Sequence, residues 1–175
     1  MSKAVVLFLS ISVLAFFSVY DPAWAQSSKK QQTLKQKSGR SKIVIEYVSF
    51  TKPTQQYEVY PWETLKVDDF RMAYSQMIKE RQLADWARLL TGTAANKNRM
   101  IIASKEQFVL ISSCKPHMCD ESQIIVLYDP VKKKSFGVLA KDGKFEWLGE
   151  PSEKVTDLLK VLLVEEYKDI YKAGD

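Results

Sequence analysis

Hydrophobic positions change period along this chain, and the changes mark its elements. From Val67, apolar residues recur at helical spacing: Phe70, Ala73, Tyr74, Met77 and Ile78 share one face. Asp68 is placed to cap this helix, and Asp69 suits its first turn. A second short helix, residues 83–90, turns Leu83, Trp86, Ala87 and Leu90 to one side, with Gly92 as its stop. The period then drops to two. Residues 99–104 and 107–113 predict a hairpin joined near Lys105-Glu106. Residues 122–128, 135–140 and 145–148 add three strands, separated by Asp129-Pro130 and by the Asp142-Gly143 turn signal. Pro151 opens a last helix, where its missing N–H costs nothing, and Val155, Leu158, Leu159, Leu162 and Leu163 form its apolar stripe. This order predicts an α+β fold with a central antiparallel sheet of about five strands and helices packed on it.

The first part of the chain follows other rules. Lys3, an apolar stretch from Ala4 to Val19, and the small-x-small site Ala23-Trp24-Ala25 read as a secretory signal peptide, residues 1–25. Residues 26–41 are rich in Gln, Lys and Ser and too poor in apolar groups to offset the entropy of ordering, so they read as a disordered basic arm. Residues 42–66 form an N-terminal extension: 42–50 is β-branched and aromatic enough for an added strand, and 51–61 reads as loop between Pro53 and Pro61. Residues 67–175 are then the main domain.

Charge and cysteine content narrow the function. The formal net charge is +5, and much of the excess lies in one short stretch, the arm and the residue after it, as Lys29, Lys30, Lys35, Lys37, Arg40 and Lys42. Those cations have no interleaved aromatics, which argues against nucleic acid as a partner. No later run approaches a membrane span, so no stable membrane insertion is expected after cleavage. Cys114 and Cys119 are the two cysteines, and export to an oxidising compartment predicts a disulfide between them.

The chemistry-bearing segment is Cys114-Lys115-Pro116-His117-Met118-Cys119-Asp120, placed between two predicted adjacent strands. His117 is the single histidine of the chain. A ring this small stabilises by roughly 2 kcal/mol in the chain-entropy picture, a modest global gain. Its local effect is larger. Together with Pro116 it removes conformational freedom that docking would otherwise cost, as a binding loop requires. A stapled hairpin without a partner accounts for the same residues. An imidazole that donates from both nitrogens suits a pair of carboxylates, and a retaining glycosidase carries two about 5–5.5 Å apart.

This segment resembles the signature loop of the inhibitor of vertebrate lysozyme (Ivy) family. Phe70-x-x-Ala73-x-x-Gln76-Met77, Leu83-x-x-Trp86, the strand 124–128, Phe136-Gly137 and Trp147-Leu148 are similar in order and approximate spacing. The resemblance implies a periplasmic, non-enzymatic inhibitor of c-type lysozyme that protects peptidoglycan. It also implies that His117 plugs the cleft between the catalytic acid and its partner carboxylate, while Cys114 and Cys119 hold the loop and Lys115 and Pro116 shape it. Lys115 and Asp120 are candidate rim contacts. Met118 departs from the acidic or amide residue usual at its place, and residues 26–59 have no counterpart. A homodimer stays open, and no cofactor or metal is implied.

The principal alternative is a soft-metal site for copper built from Cys114, His117, Met118 and Cys119, which requires reduced thiols. Cys-x-x-x-x-Cys is not the spacing of a thiol–disulfide oxidoreductase, and the scattered acids read as solvated surface rather than as a glycosidase pair. N-terminal sequencing of the exported protein is expected to begin at Gln26; a retained Met1 segment would contradict the leader assignment.

Overall fold

A computed structural model describes residues 43–168 except 80 and 95. The leader and the basic arm lie outside these residues. Within them the chain forms one antiparallel sheet in the order β1-β2-β3-β4-β5-β6. The strands are β1 Ile45–Val48, β2 Arg99–Ala103, β3 Glu106–Cys114, β4 Ser122–Asp129, β5 Lys134–Lys141 and β6 Lys144–Leu148. The helices are α1 Pro61–Thr64, α2 Asp68–Ile78, α3 Asp85–Arg88 and α4 Glu153–Glu166. The fold is α+β, with six strands rather than about five. The additional strand is β1, whose Tyr47 and Val48 pair with Ile101 and Met100 of β2.

Two apolar layers enclose the sheet. Met100, Val109, Ile111, Ile124, Val126 and Tyr128 meet Phe70, Tyr74, Met77 and Ala87 on one face. Ile101, Phe108, Leu110, Ile125, Leu127 and Val138 meet Val155, Leu158, Leu159, Leu162 and Leu163 on the other. Every residue of β4 is buried, which explains why Ile124 to Tyr128 read as an unbroken apolar run instead of an alternation. Phe70 and Tyr74 are buried in the first layer, and Trp86 and Trp147 are half-buried against the two layers. Tyr74 donates its hydroxyl to the carbonyl of Ala87 at 2.5 Å, tying α2 to α3. Phe70 meets the edge of Tyr128 at 5.3 Å, and so does Tyr57.

Several local expectations change. Val67, not Asp68, occupies the N-cap of α2; Asp68 and Asp69 lie in the first turn, and Asp68 pairs with Arg71 at 2.8 Å. Ser152 caps α4 by accepting from the Val155 N–H at 3.4 Å, so Pro151 sits just before the cap. The β2–β3 turn falls at Ser104-Lys105, both at positive φ of 53° and 70°, one residue earlier than expected. Two positive-φ residues give the strands the crossing twist a two-residue hairpin favours; Asp142-Gly143, at 50° and 71°, does the same between β5 and β6. The segment read as loop holds a 3₁₀ turn, Gln55–Tyr57, and α1. Long-range bonds hold it: Asn98 donates from its side chain to the Tyr57 carbonyl at 3.1 Å and from its backbone to Val59 at 2.9 Å.

Among the described residues, no helix is long and apolar enough to cross a membrane.

Burial raises three tyrosines. It pushes Tyr74 and Tyr128 above the ordinary range, with the Tyr57 hydroxyl adding to the second. Burial and then the nearby Glu165 carboxylate push Tyr47 up to about 12. Unfolded tyrosine ionises near pH ~10, while these folded phenols stay neutral to higher pH. Their contribution is therefore complete below about pH 10 and is lost as pH rises through the folded values. Urea midpoints measured at increasing pH should hold to about pH 10 and then fall; a midpoint that climbs beyond it would contradict this assignment.

Candidate functional site

Strands β3 and β4 are neighbours inside the sheet, and their connection carries all the residues singled out above. Cys114 ends β3 and faces Gln123 of β4. A disulfide joins Cys114 to Cys119, with Cα atoms 4.9 Å apart. With both sulfurs bonded to each other, neither is a thiolate for copper, and the soft-metal alternative loses two of its four ligands. Among the described residues, no cluster of three or more His, Cys, Asp or Glu side chains is arranged for a metal.

Inside the ring the chain makes a tight turn. The Met118 N–H donates to the Lys115 carbonyl at 3.0 Å, closing the turn Lys115-Pro116-His117-Met118. His117 has φ +61°. Proline at the second position and a positive φ at the third are the marks of a type II turn. Glycine is usual at that third place, but histidine is among the non-glycine residues enriched in the left-handed region. The result is an imidazole held at the turn's apex: Pro116 and His117 are exposed, while Cys114 at the base is buried.

A hydrogen-bonded seat supports the turn. The Lys115 N–H donates to the Ser122 carbonyl at 2.9 Å, and the Ser122 N–H donates to Met118 at 3.0 Å. Gln123, 2 % exposed, donates from its side-chain amide to the Cys119 carbonyl. On the other side, Thr93 and Cys114 exchange two backbone bonds of 2.8 and 2.9 Å, an isolated bridge from the segment after α3. Ser113 donates its hydroxyl to the Thr93 carbonyl at 3.3 Å. The β5–β6 turn joins as well, since the Asp142 N–H donates to the Glu121 carbonyl at 2.9 Å.

Gly92 belongs to this seat. A Cβ there would lie 2.3 Å from the Cys114 carbonyl oxygen and 2.5 Å from Ser113 Oγ. The glycine permits close approach of two backbones, and the left-handed residue after α3 is Leu90, at φ 51°. Gly92 is thus not the helix stop the sequence suggested. Thr93 and Gln123 carried no local signal of their roles, because each depends on a partner that only the fold brings near. Charge around the loop is mixed: Asp120, Glu121 and Asp142 share this end of the sheet with Lys115, Lys141 and Lys144.

Comparison with known proteins follows this geometry. A family model described as inhibitor of vertebrate lysozyme (Ivy) matches residues 69–165, more than half of the chain. The match includes the ring and runs from α2 to α4, with β1 and α1 outside it. A Pseudomonas aeruginosa protein named inhibitor of vertebrate lysozyme is 24% identical over 113 residues, covering 56% of this chain and 73% of the relative. An uncharacterized protein of Yersinia pestis is 26% identical over 115 residues, covering 58% and 74%.

Gly92→Ala tests the seat. The added methyl meets backbone rather than a flexible tip, so the variant should lose on the order of 1–3 kcal/mol in denaturant unfolding. Amide exchange at Thr93 and Cys114 should accelerate with it. Wild-type stability and exchange in the variant would show that the close approach is relieved at no cost.

Proposed function

Because the chain belongs to the inhibitor of vertebrate lysozyme (Ivy) family, we propose that it is an exported, stoichiometric inhibitor that blocks the active-site cleft of c-type lysozyme with its β3–β4 loop. The exposed His117, fixed in a proline-led turn within a disulfide ring, is the observation that carries this reading. Its imidazole enters between the two catalytic carboxylates and bridges them by hydrogen bonds, which a five-membered ring can span at the separation of about 5–5.5 Å found in retaining glycosidases. A positive imidazole there is further favoured by whichever carboxylate remains ionised.

Each part of the loop has a place in the mechanism. Pro116 fixes the turn that lifts His117 clear of the sheet. The Cys114–Cys119 ring, bonded at its base to Ser122 and Gln123, reduces the ordering cost of docking. Lys115, Met118 and Asp120 border the imidazole and form the rim against the enzyme. The chain supplies no chemical step: inhibition is occupation of the cleft, and the inhibitor is unchanged by it. Residues 1–25 would direct export to the periplasm, residues 26–41 would act as a basic arm, and 42–66 would extend the inhibitor domain 67–175. Protection of peptidoglycan from lysozyme follows from that placement.

Titration of the purified mature protein into a peptidoglycan-clearing assay with a c-type lysozyme tests the reading. Wild type should inhibit to a one-to-one end point. His117→Ala should cost about 2–4 kcal/mol, as truncation of a central anchor does, which is roughly 30- to 1,000-fold in Kd. His117→Asn separates ring from backbone, since asparagine also tolerates positive φ. Equal loss in both variants assigns the effect to the imidazole; undiminished inhibition in both overturns the anchor.

A further inference from the structure

The ring alone is too small to be a whole interface. Specific protein complexes of standard size bury about 800 Å² per partner, from about 20–30 residues a side. The connection offers only Lys115 to Glu121. The remainder has to come from whatever the fold fixes rigidly beside it. Antiparallel order brings the starts of β2, β4 and β6 and the ends of β3 and β5 to this end of the sheet. The β5–β6 hairpin is bonded directly to the loop through the Asp142 N–H and the Glu121 carbonyl, at 2.9 Å.

That hairpin carries an exposed aromatic side chain at this end of the sheet. Phe145, the second residue of β6, is 48% exposed. It stands opposite Ala140, with its ring 6.2 Å from that of Trp147. β6 lies two strand positions from β4, about 10 Å, well inside a patch of standard size. Charge does not select a partner for this rim, because Asp120, Glu121 and Asp142 are matched by Lys115, Lys141 and Lys144. Apolar contact does: aromatic side chains, phenylalanine among them, are enriched in the buried centres of protein interfaces.

We propose that the β5–β6 hairpin is a second contact with c-type lysozyme, and that Phe145 is its anchor on an apolar spot beside the enzyme's cleft. The inference rests on the reading of His117 as the group that enters that cleft. It assigns recognition to two points on one rigid end of the sheet, joined by the Asp142–Glu121 bond. Affinity would then depend on the enzyme surface outside the catalytic residues, which gives the inhibitor a means of distinguishing one lysozyme from another.

Binding kinetics of a purified c-type lysozyme on the full mature chain test this. Phe145→Ala should weaken binding about tenfold, mainly through faster dissociation, while the variant stays folded at the assay temperature in a thermal scan. Val131→Ala is the control: Val131 is 82% exposed in the β4–β5 turn at the opposite end of the sheet, and its loss should leave binding unchanged. Phe145→Ala that binds as wild type while the His117 variants fail overturns the second contact and leaves the cleft reading standing. Loss in Phe145→Ala with full binding in the His117 variants overturns the cleft reading and, with it, the placing of Phe145 as a second contact beside the cleft. No binding by wild type overturns both, and an equal loss in Val131→Ala also overturns the Phe145 assignment.

Discussion

Strand β4 is buried on both faces, and the rest of the molecule is arranged to keep it so. A strand with two apolar faces needs a covering layer on each. Helices α2 and α3 supply one, and α4 supplies the other. Such a strand cannot lie at an edge, so β3 and β5 flank it and β1 and β6 take the exposed positions. The β3–β4 connection therefore leaves the sheet from its most constrained point. Motion at the root of the loop would have to disturb two packed layers together.

Rigidity at the apex has a different origin from rigidity at the root. Core packing holds Cys114 and Ser122, but it does not reach Pro116 or His117. There the covalent ring, the proline and one backbone bond act over a few residues. Between these regions lies the seat formed by Thr93, Gly92 and Gln123. It transmits the order of the core to the ring without covering it. Positive φ at His117 belongs to this arrangement: backbone strain of this kind persists where the surroundings over-determine it, and such places are often functional.

How legible these features were depended on the range of the forces behind them. The apolar stripes of α2 and α4 are local repeats, and the run Ile124 to Tyr128 announces a buried strand by composition alone. The Cys-Lys-Pro-His-Met-Cys segment was visible for the same reason, since ring, turn and histidine are contiguous. Features held by distant partners were not. The 3₁₀ turn and α1 are fixed by Asn98, about forty residues along, and have no periodicity to reveal them. Gly92 reads from sequence as a helix end, because its close approach to Cys114 exists only once β3 is in place. Asp68 looked like a cap, yet Val67 holds that position and the aspartate pairs with Arg71 instead.

The division between seat and apex has a consequence for how such proteins diversify. Lys115, Met118, Cys119 and Ser122 enter the seat through main-chain atoms, and beyond the proline and the residue at positive φ the turn makes no demand on the identity of its side chains. The scaffold thus behaves as a socket in which Lys115 and Met118 can be exchanged while Pro116 and the positive φ at His117 keep the shape of the tip. Side chains at those places can change while the genetic cost of preserving the body of the protein stays constant.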